Sequence, residues 1–235
     1  MLAANPDGMT LSEISMELGL PKTSVFDIAQ TLRQEHFLRE VKKRFAIGYM
    51  AREIGDAYEA DKDLYGIAKQ HLTALADELN MAASLVLYEN DGLDYVVEYR
   101  PVGSIVAPGA SSGHSYIHAS ASGKVLLAFM QGARRQKALA TLEFIPFTER
   151  TIVTAEAFAA ELDTVKKRGY ALDDREFNTL MTCISAPLFN RNQAIAAITL
   201  SGLQIAPESI PVIAGRIIMT SRAISELLTA GRDRD

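Results

Sequence analysis

The chain has 235 residues, 48% hydrophobic and 23% charged, which excludes an extended disordered protein. Its formal net charge of −5 excludes a general nucleic-acid coat, so any DNA contact must come from a local basic patch. A single cysteine, Cys183, allows no intrachain disulfide and suits a reducing cytoplasm; no signal peptide and no apolar run near the ~20 residues of a membrane span are read.

Residues 1–50 predict a compact helical unit followed by a hairpin. Thr10 caps a first helix with Glu13 as its capping-box partner, and Leu11, Ile14 and Leu18 recur at helical spacing. Gly19 closes that helix, Leu20 packs beneath it, and Pro21 opens the turn into a second. Val25, Ile28, Ala29 and Leu32 form the expected inward stripe of the second helix. Helix, short turn, helix is the helix-turn-helix pattern, although two short helices alone fit any small helical domain. Alternating residues at 37–41 and 45–48 around Lys42-Lys43-Arg44 add a β-hairpin wing with a basic tip.

A linker helix follows over 51–80, with Leu64, Ile67, Ala68, Leu72, Leu75, Ala76 and Leu79 in a 3.6-residue period and Asn80 as its stop. Strands at 84–88 and 95–99 flank the turn Glu89-Asn90-Asp91-Gly92. A Gly/Pro/Ser-rich loop spans 102–113, and an apolar helix over 124–130 follows Ser120-Ala121-Ser122-Gly123. Thr154 caps another helix that Gly169 ends; strands begin at Tyr170 and cover 183–189 and 194–202, and a last helix runs from 210 to 228. The order is α+β, an antiparallel sheet flanked by helices.

Several stretches carry a resemblance. They are Thr10-Leu11-Ser12-Glu13-Ile14 with Leu18-Gly19-Leu20-Pro21-Lys22-Thr23-Ser24-Val25; His118-Ala119-Ser120-Ala121-Ser122-Gly123-Lys124-Val125-Leu126-Leu127-Ala128; and Arg168-Gly169-Tyr170-Ala171-Leu172-Asp173-Asp174-Arg175-Glu176 running on to Cys183-Ile184-Ser185-Ala186-Pro187. With the Thr148, Thr151, Thr154 spacing, they make the chain resemble the IclR family of transcription regulators over nearly its whole length. The resemblance implies a winged helix-turn-helix over 1–50, a linker over 51–80 and a GAF-like effector-binding domain over 81–235, assembled as dimers or tetramers on a double-stranded DNA operator. It implies pocket positions at Ala121, Ser122, Asp173, Cys183, Thr199 and Ser201. The sequence departs from the family in two places. The helix that usually precedes the Thr-Leu-Ser segment is truncated or missing, and Phe26-Asp27 stand where a basic residue is common.

The side chains suit these roles chemically. For DNA the candidates are Lys22, Thr23, Ser24, Phe26, Gln30, Thr31 and Arg33, with Lys42, Lys43 and Arg44 on the wing. Gln30 can pair with an adenine edge, while Arg33 and the wing suit phosphates. A solvated turn is the plain alternative for the wing. Residues 1–55 carry seven basic and seven acidic side chains, so the unit is neutral, and Asp27 opposes the phosphate field. For a small organic acid, a helix N-terminus at Ser122-Gly123 offers amide donors, Ser122 adds a hydroxyl and Gly123 permits close approach. The alternative there is ordinary N-capping. Asp173 can accept from a ligand hydroxyl, and Thr199 and Ser201 alternate onto one face of their strand. Cys183 is a pocket residue or plain core. His114 and His118 show no spacing for a metal site with Asp173 or Cys183, and no cofactor is expected. Two other readings stay open: an effector-binding oligomer that has lost DNA binding, and an enzyme pairing Cys183 with His118.

Overall fold

The computed structural model describes residues 1–58, 62–103 and 114–232 and divides into two compact units, Met1–Lys62 and Asp63–Asp235. Most of the 102–113 loop read from the sequence therefore lies outside the described residues.

In the first unit, β1 (Met9–Thr10) leads into α1 (Leu11–Leu18) and α2 (Lys22–Gln34), then β2 (Leu38–Val41), β3 (Arg44–Ile47) and α3 (Met50–Tyr58). The capping box is present: Thr10 Oγ1 accepts from the Glu13 amide at 3.3 Å, and the Glu13 carboxylate accepts from the Thr10 amide at 2.6 Å. Gly19 ends α1 at φ +63°, a conformation that favours glycine. The strands form an antiparallel sheet in the order β1-β3-β2 over a core of Met9, Ile14, Val25, Ala29, Leu38 and Phe45.

The inward stripe expected on α2 is only half closed. Val25 and Ala29 are buried, but Ile28 is 53% and Leu32 37% exposed, and Leu18 and Leu20 are exposed as well. Periodicity identifies an apolar stripe; it does not say what covers it.

The second unit begins with α4 (Lys62–Leu79), which Asn80 stops in the left-handed region. Helices α3 and α4 both fall within the linker read from the sequence, and residues 59–61 between them lie outside the described ones. Next come β4 (Ala82–Glu89), β5 (Gly92–Tyr99), α5 (Ala121–Phe129), α6 (Gly132–Ala140), α7 (Ala155–Arg168), β6 (Ala171–Asp174), β7 (Met181–Asn190), β8 (Gln193–Leu203) and α8 (Ile210–Arg232). The strands form one antiparallel sheet in the order β5-β4-β8-β7-β6.

Alternation along the strands separates two cores. Leu85, Ile184, Ala186, Ile198 and Leu200 pack with Leu72, Leu75 and Ala76 of α4 and with Ile213, Ile217 and Ile224 of α8. Val86, Ala171 and Ala197 point the other way, toward Val125 and Leu127 of α5 and Phe158, Leu162 and Val165 of α7. The side chains at Asp173, Cys183, Thr199 and Ser201 share that second face, as the alternation of Thr199 and Ser201 with Leu200 predicts.

Candidate effector site and DNA-reading surface

Helix α5 starts three residues earlier than the apolar run suggests, at Ala121 rather than Lys124. Ser120 is the cap: its Oγ accepts from the Gly123 amide at 3.0 Å. Ala121, Ser122 and Gly123 therefore form the first helical turn, all buried. Gly123 is needed for a different neighbour than a ligand. A Cβ there would lie 2.1 Å from the Ile117 carbonyl oxygen, so the close approach is made by the preceding 3-10 turn, His114–Ala119.

The sheet brings the other candidates together. Asp173 on β6, Cys183 on β7 and Ser201 on β8 are consecutive cross-strand partners in one row. Cys183 is half-buried as a residue, and its Sγ lies 3.3 Å from Ser201 Oγ. Burial pushes its thiol up to about 12, the reverse of an activated nucleophile. Asp173 is nearly fully buried, and burial raises its carboxyl to about 7 even though its Oδ1 accepts from the amides of Glu176 at 2.7 Å and Phe177 at 3.3 Å.

Thr199 falls in the next row and is occupied otherwise. Its hydroxyl is 2.9 Å from that of Ser185, which also reaches the Ile198 carbonyl, so Thr199 belongs to a buried hydroxyl pair. Ser122 meets Tyr95 instead, with the two hydroxyl oxygens 3.5 Å apart. Tyr95 and Tyr116 share a hydrogen bond, and the Tyr116 ring packs tilted against that of Phe177, with centroids 4.6 Å apart. Tyr95, Tyr116 and Phe177 carry no sequence signal for a site; the fold alone brings them beside Ser122 and Asp173.

His118 makes no hydrogen bond to Cys183. It is fully buried, its Nε2 lies 2.9 Å from the Ile145 carbonyl, and its ring packs against Phe144 and Phe147. Burial lowers its pKa. Among the described residues, no group of three or more His, Cys, Asp or Glu is placed to hold a metal ion. A cavity of about 540 Å³ lies elsewhere, between the C-terminal end of α5 and the β7–β8 turn, lined by Leu126, Phe129, Met130, Arg134 and Gln193 among others.

On the first unit, Lys22, Thr23, Ser24, Phe26, Thr31 and Arg33 are exposed along α2, and Gln30 is half-buried. Asp27 lies on the same helix face as Thr23, Gln30 and Gln34, at spacings of four, three and four residues. Arg33 makes an exposed ion pair with Glu40 at 3.4 Å. Val41 pairs with Arg44, so Lys42 and Lys43 alone form the turn, both at positive φ. Arg44 is not at the tip. It sits in β3 with its guanidinium on the Gly8 carbonyl at 2.9 and 3.1 Å and on Glu13 at 3.2 Å, bracing the start of α1.

Comparison with known proteins identifies the architecture. The family profile described as "Bacterial transcriptional regulator IclR C-terminal" matches residues 57–226, and that of the IclR helix-turn-helix domain matches residues 1–42. The chain belongs to the IclR family. It is a DNA-binding transcription regulator, and the relatives it matches are regulators rather than enzymes. It is 27% identical to the transcriptional repressor IclR of Escherichia coli over 209 residues, covering 86% of this chain and 75% of that one. It is 28% identical to the regulator RhmR of the same organism, covering 90% and 83%. The crystal structure of Thermotoga maritima IclR superposes with a TM-score of 0.77 at 24% identity, covering 96% of this chain and 93% of that one. An IclR homologue from Microbacterium hydrocarbonoxydans, solved with 4-hydroxybenzoate, gives 0.81 at 19% identity, covering 94% and 92%. Among the described residues, no helix is long and apolar enough to cross a membrane.

Proposed function

We propose that the chain is an operator-binding regulator whose DNA affinity is modulated by a small carboxylic acid held between the first turn of α5 and the Asp173–Cys183–Ser201 row. The observation that carries this reading is that row: a carboxyl, a thiol and a hydroxyl from three strands face the helix layer, where alternation would otherwise place apolar core residues. A carboxylate accepts from the amides and hydroxyl of the first turn at Ala121 and Ser122, where the helix dipole favours negative charge. Asp173 and Ser201 then serve the ligand's hydroxyl or carbonyl end, and Cys183 lines the floor. Gly123 shapes the turn, and Thr199 sits one row away. The relative solved with 4-hydroxybenzoate supports an acid with a planar body as the first class to test.

In this reading residues 1–50 read DNA, 51–80 link, and 81–235 sense the acid. Lys42 and Lys43 meet phosphates, and Thr23, Gln30 and Arg33 lie on the face presented to the operator. Paired winged units require a homodimer or homotetramer, in the cytoplasm where the operator is. The acid acts only through different affinities for two arrangements of the paired units.

A thermal-shift panel of acetate, pyruvate, benzoate and 4-hydroxybenzoate tests the sensing half. At least one acid is expected to raise the melting temperature of the wild type and not of Ser201→Ala. Equal shifts in the two proteins would remove this pocket from consideration.

A further inference from the structure

Lys124 is fully buried, and the proposed function gives it no part. Its Nζ donates to the Leu172 carbonyl at 2.9 Å and forms an ion pair with Glu176 Oε1. A buried ion pair is a weak source of stability, because desolvating both charges offsets most of their attraction. Apolar residues of the same volume would hold α5 against β6 as well. The pair is better explained by where it fixes other groups.

Glu176 is a junction. Its side chain holds α5 through Lys124, and its amide donates to Asp173 Oδ1 at 2.7 Å. Its carbonyl accepts from Thr151 Oγ1 at 2.6 Å and Thr148 Oγ1 at 3.2 Å. Thr151 Oγ1 in turn accepts from the amides of Phe147 and Thr148. One residue therefore ties three segments: the helix turn that carries Ser122, the strand end that carries Asp173, and the irregular stretch at 145–151 that carries the phenylalanine packed on Phe177. Its second carboxylate oxygen, Oε2, is buried and has no hydrogen-bond partner among the described residues, so the side chain is set by geometry rather than by full satisfaction.

We propose that the Lys124–Glu176 pair is a positioning device that holds the Asp173 carboxylate and the Thr148–Thr151 segment in register with the first turn of α5. Its ligand consequence rests on the acid-binding reading above; its structural consequence does not. Breaking the pair frees the 174–178 turn, and with it both walls that meet at Asp173.

The test compares wild type with the apolar swap Lys124→Met/Glu176→Leu by hydrogen–deuterium exchange and by calorimetry with benzoate and pyruvate as probes. The swap is expected to melt near the wild-type temperature, yet its amides at Phe147, Thr148, Glu176 and Phe177 should exchange at least tenfold faster. Any probe that the wild type binds should bind at least tenfold more weakly. Unchanged local exchange in a folded swap overturns the proposal, whatever the probes do. Faster exchange with no probe bound by the wild type supports the positioning role and counts against the acid-binding reading. Should the swap not fold, Glu176→Gln carries the same comparison, because it keeps the shape and the three main-chain bonds; wild-type exchange there overturns the proposal equally.

Discussion

Asp173 and Cys183 stand directly opposite each other on β6 and β7, and burial raises the pKa of both. The row they form with Ser201 is where the sheet face toward α5 turns from apolar to polar. Its chemistry depends on proton occupancy near neutrality.

The pH dependence of stability follows. The Asp173 carboxyl rises from 3.8 to about 7 on folding, so the folded state holds its proton more tightly than the unfolded chain. That contribution is fully present below about pH 4 and is lost as pH rises through about 7. The full loss is up to about 4 kcal/mol at roughly 1.4 kcal/mol per unit. Urea titrations at pH 5 and pH 8 should show wild type weaker at pH 8 and Asp173→Asn with most of that slope removed. Parallel pH profiles for the two proteins would mean that Asp173 is ionised in the fold throughout.

Cys183 should be a slow thiol. With its pKa at about 12 against the ordinary 9.0, thiolate at neutral pH is about a thousandfold scarcer than for a free cysteine. Reaction with a disulfide reagent should be slow in the native protein and fast in guanidinium chloride. Rapid native labelling would reopen the thiol-enzyme reading that the pairing of Cys183 with Ser201, rather than His118, argues against.

Two glycine substitutions should have opposite signs. Gly123→Ala places a methyl 2.1 Å from the Ile117 carbonyl oxygen and should destabilise by about 1–3 kcal/mol or more. Gly215→Ala, on the exposed side of α8 with open space at its Cβ, should stabilise by up to about 1 kcal/mol. Calorimetric melting of the two variants reads both.

The basic residues of the wing should separate by role. Charge reversal at Lys42 and Lys43 is expected to weaken operator binding and flatten the log–log salt slope by roughly 2, one contact per phosphate. Arg44→Ala should instead lower the thermal stability of the first unit, through loss of its bonds to Gly8 and Glu13, and leave the slope in place. Anisotropy titrations at several salt concentrations distinguish these outcomes.

Local signals in the sequence translate directly into structure. The Thr10–Glu13 box, the Thr154 cap, the glycine stops at 19 and 169 and the Asn90-Asp91 turn each act over a few residues. Alternation on β8 likewise gives the shared face of Thr199 and Ser201. The start of α5 is less legible because Ala121-Ser122-Gly123 lacks an apolar period, and α6 buries a single residue, Ala138, so it has no stripe to find. The openness of Ile28 and Leu32 depends on neighbours that periodicity does not name. Relationships across long stretches of chain are invisible locally: Arg44 on Gly8, Ser122 on Tyr95, and Lys124 on Glu176 span 36, 27 and 52 residues. The junction at Glu176 is of that kind, which is why the sequence shows Asp173 as a candidate without showing what holds it.

The most direct measurement is operator affinity, by anisotropy on a duplex selected from a random-sequence pool, with and without the acid that shifts melting most. Wild type is expected to change affinity at least fivefold with the acid, and Ser201→Ala to bind the duplex equally well but without response. A wild-type affinity indifferent to every acid in the panel, or a Ser201→Ala response equal to wild type, would contradict the account.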